Sequence, residues 1–300
     1  MNFRADRFEG CLLGLACGDA VGAAVEFLPR ERFTPLTGMT GGGKFRLNKG
    51  EWTDDTAMAL CLAESLIDCR GFDPLDQMQR YWRWGNEGYN SCRPYAFGIG
   101  KTVATAMNEF RKTGNPYSGA TDPSTSGNGS LMRLAPVVMF FANRPAEAVE
   151  FAALSSRVTH ASAECLACCK FFALMLLRAL AGEQNKAQLF PTQLDFDMPD
   201  SLSRITSQRF RQASAADVVG SGYVVESMEA ALWCFWHTDT FEAAILAAAN
   251  LGDDADTTAA ICGQLAGAYY GSQNIPKDWL NSLVRGDDIR KIAQQLAGLA

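Results

Sequence analysis

Apolar residues recur with helical spacing along almost the whole chain, in Ala/Leu/Cys/Met-rich segments near residues 6–24, 55–69, 74–85, 101–112, 145–154, 162–181, 224–236, 241–250, 256–271 and 287–298. The apolar/polar alternation that builds half-buried strands is almost absent. Several segments are apolar on more than one face, which requires burial among other helices, so the expected fold is all-α: a compact multi-helix domain. At about 150 residues per domain a chain of this length has room for two, but the pattern reads as a single domain over 1–300. Within it Glu183–Asp217, polar and holding Pro191 and Pro199, is expected to be a surface excursion with short helical turns.

Two acidic clusters stand immediately before helical segments at opposite ends of the chain: Trp52-Thr53-Asp54-Asp55-Thr56 and Gly252-Asp253-Asp254-Ala255-Asp256-Thr257-Thr258. Carboxylates and hydroxyls are the hard oxygen ligands that Mg²⁺ or Mn²⁺ prefers, whereas zinc draws on Cys and His. Adjacent carboxylates at a helix start diverge, so Asp54 and Asp55 are better used by two bridged ions than by one. The alternative is that both clusters are helix caps, since Thr and Asp favour N-caps and first-turn acids suit the helix dipole. Each cluster nevertheless has more carboxylates than a cap requires.

The 33 acidic against 27 basic residues give a net charge of −6 with no basic run, which leaves no electrostatic footprint for nucleic acid. An anionic substrate would need metal ions or backbone amides. The first apolar run is broken by Gly14, Gly18 and Asp19, unlike a signal peptide, and Phe171–Leu177 is too short for a bilayer span, so a soluble cytoplasmic protein is expected. Cys11, Cys17, Cys61, Cys69, Cys165, Cys168, Cys169, Cys234 and Cys262 fall inside apolar helical patterns and read as reduced core thiols. Cys165, Cys168 and Cys169 have zinc-like spacing, but no second Cys/His pair lies near them. Gly100-Lys101-Thr102 resembles the end of a P-loop, yet Tyr95 stands where its first glycine belongs. Two irregular stretches, Leu28–Glu51 and Thr113–Ser130, abut candidate site residues and are expected to wall a pocket.

Six motifs, in order along nearly the whole chain, resemble the ADP-ribosylglycohydrolase family. They are Gly14-Leu15-Ala16-Cys17-Gly18-Asp19-Ala20-Val21-Gly22 with Glu26 following, the Thr53-Asp54-Asp55 cluster, and Gly127-Asn128-Gly129-Ser130-Leu131-Met132-Arg133; then Thr159-His160, Gly222-Tyr223-Val224-Val225 and the Asp254-Ala255-Asp256-Thr257 cluster. The resemblance implies an all-α fold with two Mg²⁺ or Mn²⁺ ions in a cleft, held by Thr53, Asp54, Asp55, Asp254, Asp256 and Thr257. It makes Glu26, Asp55 and Asp254 the candidate catalytic residues, with Glu26 beside the metals. Gly127, Asn128, Gly129 and Ser130 would lie against ADP-ribose, where glycines let backbone N–H groups approach phosphate. Otherwise this loop is an ordinary turn. His160 would donate to a phosphate or hydroxyl and Tyr223 would stack on adenine or ribose, although a lone His or a Tyr in a helical pattern is commonly structural.

The activity implied is hydrolysis that releases ADP-ribose from a modified protein or small molecule by cleaving the bond at C1″. Two alternatives stay open: a non-catalytic ADP-ribose-binding member, and a binuclear-metal phosphohydrolase cutting a diphosphate. One departure bears on the acceptor. Where the dinitrogenase-reductase branch carries an aspartate implicated in handling the ribose, this chain has Gly98.

Overall fold

Glycine at every fourth position of the first helix dictates the closest helix contact in the molecule. Residues 3–300 are described by a computed structural model, whose helices are α1 (Phe3–Gly22), α2 (Asp54–Cys69), α3 (Pro74–Glu87), α4 (Lys101–Thr113), α5 (Ala135–Phe140), α6 (Pro145–Arg157), α7 (Ala163–Ala181), α8 (Lys186–Leu189), α9 (Ser203–Thr206), α10 (Val224–Trp236), α11 (Phe241–Ala249), α12 (Ala255–Tyr270), α13 (Lys277–Ser282) and α14 (Gly286–Leu299). Gly10, Gly14, Gly18 and Gly22 lie on one face of α1. A Cβ on each would come within 2.2 to 2.3 Å of the carbonyl oxygens of Gly267, Gly263, Ala259 and Ala255 in turn. The falling numbers on α12 make the pair antiparallel, packed backbone to backbone. The glycines that interrupt the first apolar run are therefore an interhelical seam.

That seam fixes the site. It brings the C-terminal end of α1, with Asp19, against the first turn of α12, with Asp256, because Gly22 abuts the Asp256 backbone. The remaining helices surround the pair with an apolar core that includes Trp52, Trp84 and Trp279. Gln264 of α12 ties in the segment before α5: its Oε1 accepts from Ala135 N–H at 2.8 Å, and its Nε2 donates to the Leu131 and Met132 carbonyls.

The architecture is all-α. Among the described residues there is no strand, only isolated bridges such as Gly127 with Tyr223. The helix ends agree with the sequence periodicity to within a few residues, whereas α5 and α13 were not expected. The run Ala-Pro-Val-Val-Met-Phe of α5 is entirely buried and spans fewer than two turns, too short to show a period. Cys69 differs from the core thiol expected: it ends α2 and is exposed. The segment 183–217 forms the expected short turns, yet Leu189, Phe190, Leu202, Ile205 and Phe210 are buried. Arg204 and Arg209 also pair with the buried Glu229 of α10, each at 2.7 Å. No described helix is long and apolar enough to cross a membrane.

A candidate metal centre in an acidic cleft

The N-termini of α2 and α12 converge at the end of the seam, and neither is capped by its N-cap side chain. Thr53 and Asp254 occupy the N-cap positions without a side-chain capping bond. Asp19 of α1 takes that role for α2. Its Oδ1 accepts from the Thr53 N–H and hydroxyl, both at 2.9 Å, and its Oδ2 accepts from the Thr56 N–H at 3.0 Å and hydroxyl at 2.6 Å. Both Asp19 oxygens are thus occupied by donors, and Asp55 is released from capping α2; in the second cluster Asp256 Oδ1 accepts the Thr257 N–H at 2.8 Å, which leaves Oδ2 facing Thr53. In the sequence Asp19 shows only as an aspartate inside an apolar helix, and its role emerges from these four bonds.

The acids of the two clusters crowd together. Thr53 Oγ1 lies 3.2 Å from Asp55 Oδ2 and 3.3 Å from Asp256 Oδ2, and Thr257 Oγ1 lies 3.4 Å from Asp55 Oδ2. A hydroxyl has one proton, and the shortest of the Thr53 contacts is to Asp19, so these carboxylates gain little from it. Oxygens of Asp19, Asp55 and Asp256 fall within 4.8 Å of one another, as do those of Glu26, Asp254 and Asp256. The two groups share Asp256. Asp54 belongs to neither and faces the cleft instead.

No Lys or Arg among the described residues forms an ion pair with any of these six acids. Burial without a counter-charge penalises the ionised form. Burial first, then the neighbouring carboxylates, lifts Asp54, Asp55 and Asp256 well above the usual carboxylate range. Burial raises Asp254 as well, against the donor Asn128, whose Nδ2 lies 2.7 Å from Asp254 Oδ2. Asp19 is pushed up to about 6 by burial, moderated by its four hydrogen bonds, and Glu26 to about 8 by burial and Asp254. Glu26 Oε2 and Asp55 Oδ1 are buried with no hydrogen-bond partner. Orphaned oxygens on the turn after α1 and on the first turn of α2, in an all-oxygen donor set, suit a hard divalent cation.

The acids floor a cleft of 560 Å³. Glu26, Asp54, Asp254, Asp256 and Thr257 line it, while Thr53 and Asp55 are buried beneath. Gly127, Asn128, Gly129 and His160 form another wall, and Gly98 and Gly100–Val103, with the start of α4, a further one. Two expected ligand contacts sit differently. Ser130 is turned into the interior, where its Oγ accepts from Ser156 Oγ at 2.7 Å. Tyr223 precedes α10, does not line the cleft, and donates its hydroxyl to Glu164 Oε1 at 2.6 Å.

Gly98 has φ +77°, and a Cβ there would lie 2.4 Å from Asp54 Oδ1. The Asp54 carboxylate thus fills the space that a side chain at 98 would enter, and the positive φ favours glycine. Gly98→Ala is expected to cost about 1–3 kcal/mol in urea unfolding and to lower activity at least about tenfold by displacing Asp54. Activity equal to the parent would show that the Asp54 position is unimportant.

Fold and site together define an all-helical protein whose cleft is walled by two groups of carboxylates that could hold a metal ion. A family model described as ADP-ribosylglycohydrolase matches residues 1–300, and the chain belongs to that family. The chain is 40% identical over 295 residues to an ADP-ribosylarginine hydrolase Tri1 of Serratia proteamaculans, covering 98% of this chain and 80% of the relative. It is 42% identical to the Tri1 of Pseudomonas putida, covering 97% and 78%. It is 33% identical to the ADP-ribosyl-[dinitrogen reductase] glycohydrolase of Rhodospirillum rubrum, over 93% of this chain and 90% of the relative. A solved structure described as an ADP-ribosylglycohydrolase-related protein complex matches with TM-score 0.88 and 41% identity, covering 100% of this chain and 99% of that one. The chain is accordingly a hydrolase that releases ADP-ribose from an acceptor.

Proposed function

We propose that the acceptor is an arginine side chain of a modified protein or a small arginine-like molecule, and that the bond cut is the one between C1″ of ADP-ribose and the guanidino nitrogen. The observation that carries this reading is the pair of carboxylate groups sharing Asp256, with unsatisfied oxygens on Glu26 and Asp55, at the floor of the cleft. The names of the two Tri1 relatives favour arginine over other linkages. At Gly98, where the dinitrogenase-reductase branch carries an aspartate, the neighbouring carboxylate is that of Asp54, whose Oδ1 would lie 2.4 Å from a Cβ at 98.

Two Mg²⁺ or Mn²⁺ ions would be held by Thr53, Asp54, Asp55, Asp254, Asp256 and Thr257, and would supply positive charge that polarises ribose oxygens and acidifies water. The chain's own groups account for the rest. In the net reaction a water oxygen bonds to C1″, the C1″–N bond breaks with its electron pair going to nitrogen, and a proton from the water ends on the leaving guanidine. Glu26 is suited to carry that proton, since Oε2 is unpartnered and its raised pKa lies near neutrality. Asp54 and the other fixed carboxylates stabilise the oxocarbenium-like charge that develops at C1″. Gly127 and Gly129 leave the diphosphate access to the backbone, and His160 offers a neutral imidazole.

The test is parallel turnover of arginine-, serine- and O-acetyl-linked ADP-ribose with Mg²⁺ or Mn²⁺, with the products resolved by chromatography. Free ADP-ribose, released fastest from the arginine-linked substrate, is expected. AMP plus ribose phosphate would make the protein a phosphohydrolase, binding without turnover would make it a non-catalytic binder, and preference for another linkage would overturn the acceptor assignment.

A further inference from the structure

Arg133 is wholly buried and, among the described residues, makes no ion pair. Burying a guanidinium without a carboxylate is costly unless its donors are used. One Nη donates to the Gly129 carbonyl at 2.7 Å; the other donates to Thr159 Oγ1 at 2.7 Å and reaches the Ser155 carbonyl at 3.4 Å. Its carbon lies 4.7 Å from the centre of the Tyr81 ring. These contacts join the glycine loop to the turn that carries His160.

The chemistry of donors then determines a proton position. A guanidinium has donors and no acceptor, so its bond to Thr159 Oγ1 uses an oxygen lone pair and leaves the hydroxyl proton to go elsewhere. His160 Nδ1 lies 2.8 Å from that oxygen. Among the described residues no acceptor other than Nδ1 is paired with that hydroxyl, so its proton is directed to Nδ1, and in a neutral imidazole the ring proton then resides on Nε2. Burial, followed by the Arg133 charge, holds His160 down to about 3, so the ring stays neutral at physiological pH. Nε2 faces the two loop glycines: a Cβ on Gly127 or Gly129 would come within 3.3 or 3.1 Å of it. His160 lines the cleft.

We propose that Arg133 and Thr159 are positioning residues that lock His160 in its Nε2–H tautomer and aim that proton, between Gly127 and Gly129, at an acceptor oxygen of the bound ligand. The identity of that ligand as ADP-ribose rests on the proposed function, but the tautomer does not. A purely structural role for Arg133 and Thr159 would leave the tautomer indifferent to the threonine hydroxyl. The lock requires that oxygen to receive from one side and donate to the other.

The experiment reads the imidazole nitrogens of His160 by ¹⁵N-histidine NMR in the ligand-free full chain, with the His237 signals assigned by a His237→Gln variant. The parent is expected to show a protonated Nε2 and an unprotonated Nδ1. Thr159→Val, which keeps the volume but removes the hydroxyl, is expected to give a mixture of tautomers, and Thr159→Ser to restore the parent pattern. Arg133→Lys retains a donor-only cation and is expected to keep more of the Nε2–H form than Arg133→Gln. An Nδ1–H ring in the parent, or an unchanged tautomer in Thr159→Val, would overturn the lock. Calorimetric titration with ADP-ribose reads the second half: Thr159→Val is expected to raise Kd about tenfold, the worth of one hydrogen bond. Unchanged affinity beside a changed tautomer would overturn the aim at the ligand. If the parent does not bind ADP-ribose at all, the proposed function fails while the tautomer result stands.

Discussion

Asp55→Asn and Asp256→Asn are each expected to weaken Mn²⁺ binding and to lower kcat/KM by on the order of 10³-fold while the helical circular-dichroism signal stays intact. Asp256 is common to both carboxylate groups, so its loss removes a negative oxygen from each. Asp55 is more deeply placed, with Oδ2 beside the Thr53 and Thr257 hydroxyls and Oδ1 unpartnered. An amide keeps the volume but substitutes a weak neutral ligand. Because both acids are buried without a basic partner, their neutralisation should also raise the melting temperature of the metal-free protein, as expected when buried charge repulsion is relieved. The combination is diagnostic: a residue needed for folding would lower stability and activity together. Calorimetric titration with Mn²⁺, thermal melts in EDTA and the ADP-ribose release assay measure the three quantities. Unchanged metal affinity in both variants would refute the centre.

Stabilisation by added Mg²⁺ or Mn²⁺ is expected to be small at pH 5 and to grow to on the order of 5–10 °C at pH 8 with metal well above its Kd. The sign follows from the raised carboxyl values. An acid whose folded pKa lies above its unfolded one keeps its proton in the folded state after the unfolded chain has released it. Stability is therefore lost as pH rises from the ordinary carboxylate range of about 4, through about 6 for Asp19 and about 8 for Glu26. Divalent cations replace those protons and reverse the loss. His160 acts in the opposite sense, because its depressed value lets the unfolded chain gain a proton below about pH 6.5. That contribution is common to samples with metal and with EDTA, so the difference between the two melts isolates the acids. A difference that shrinks from pH 5 to pH 8 would contradict the cluster's electrostatics.

Much of this was legible from residue order. Helical periodicity located the long helices because an apolar pattern sustained over three or more turns declares itself, and α5 escaped because its six residues span fewer than two turns. The oxygen-rich clusters before α2 and α12 pointed to a hard cation. Other roles depended on distant partners. Asp19 reads as an anomaly in an apolar helix until its oxygens are seen to receive four hydrogen bonds from Thr53 and Thr56. Ser130 and Tyr223 belong to motifs that run beside the cleft, yet their hydroxyls turn to Ser156 and Glu164. A motif specifies a stretch of backbone, and which side chain meets the cavity depends on the packing behind it.

The chemistry of the donors and the identity of the helices are local properties, settled by side-chain type and apolar spacing, and they can be read along the chain. The meeting of the two acidic clusters is not local. It depends on an antiparallel seam of glycines that lets α1 and α12 touch backbone to backbone, and on Asp19 capping α2 from outside so that Asp55 is left free. Those contacts join residues far apart in the chain, and their energy comes from close packing and buried hydrogen bonds that exist only once the helices are assembled.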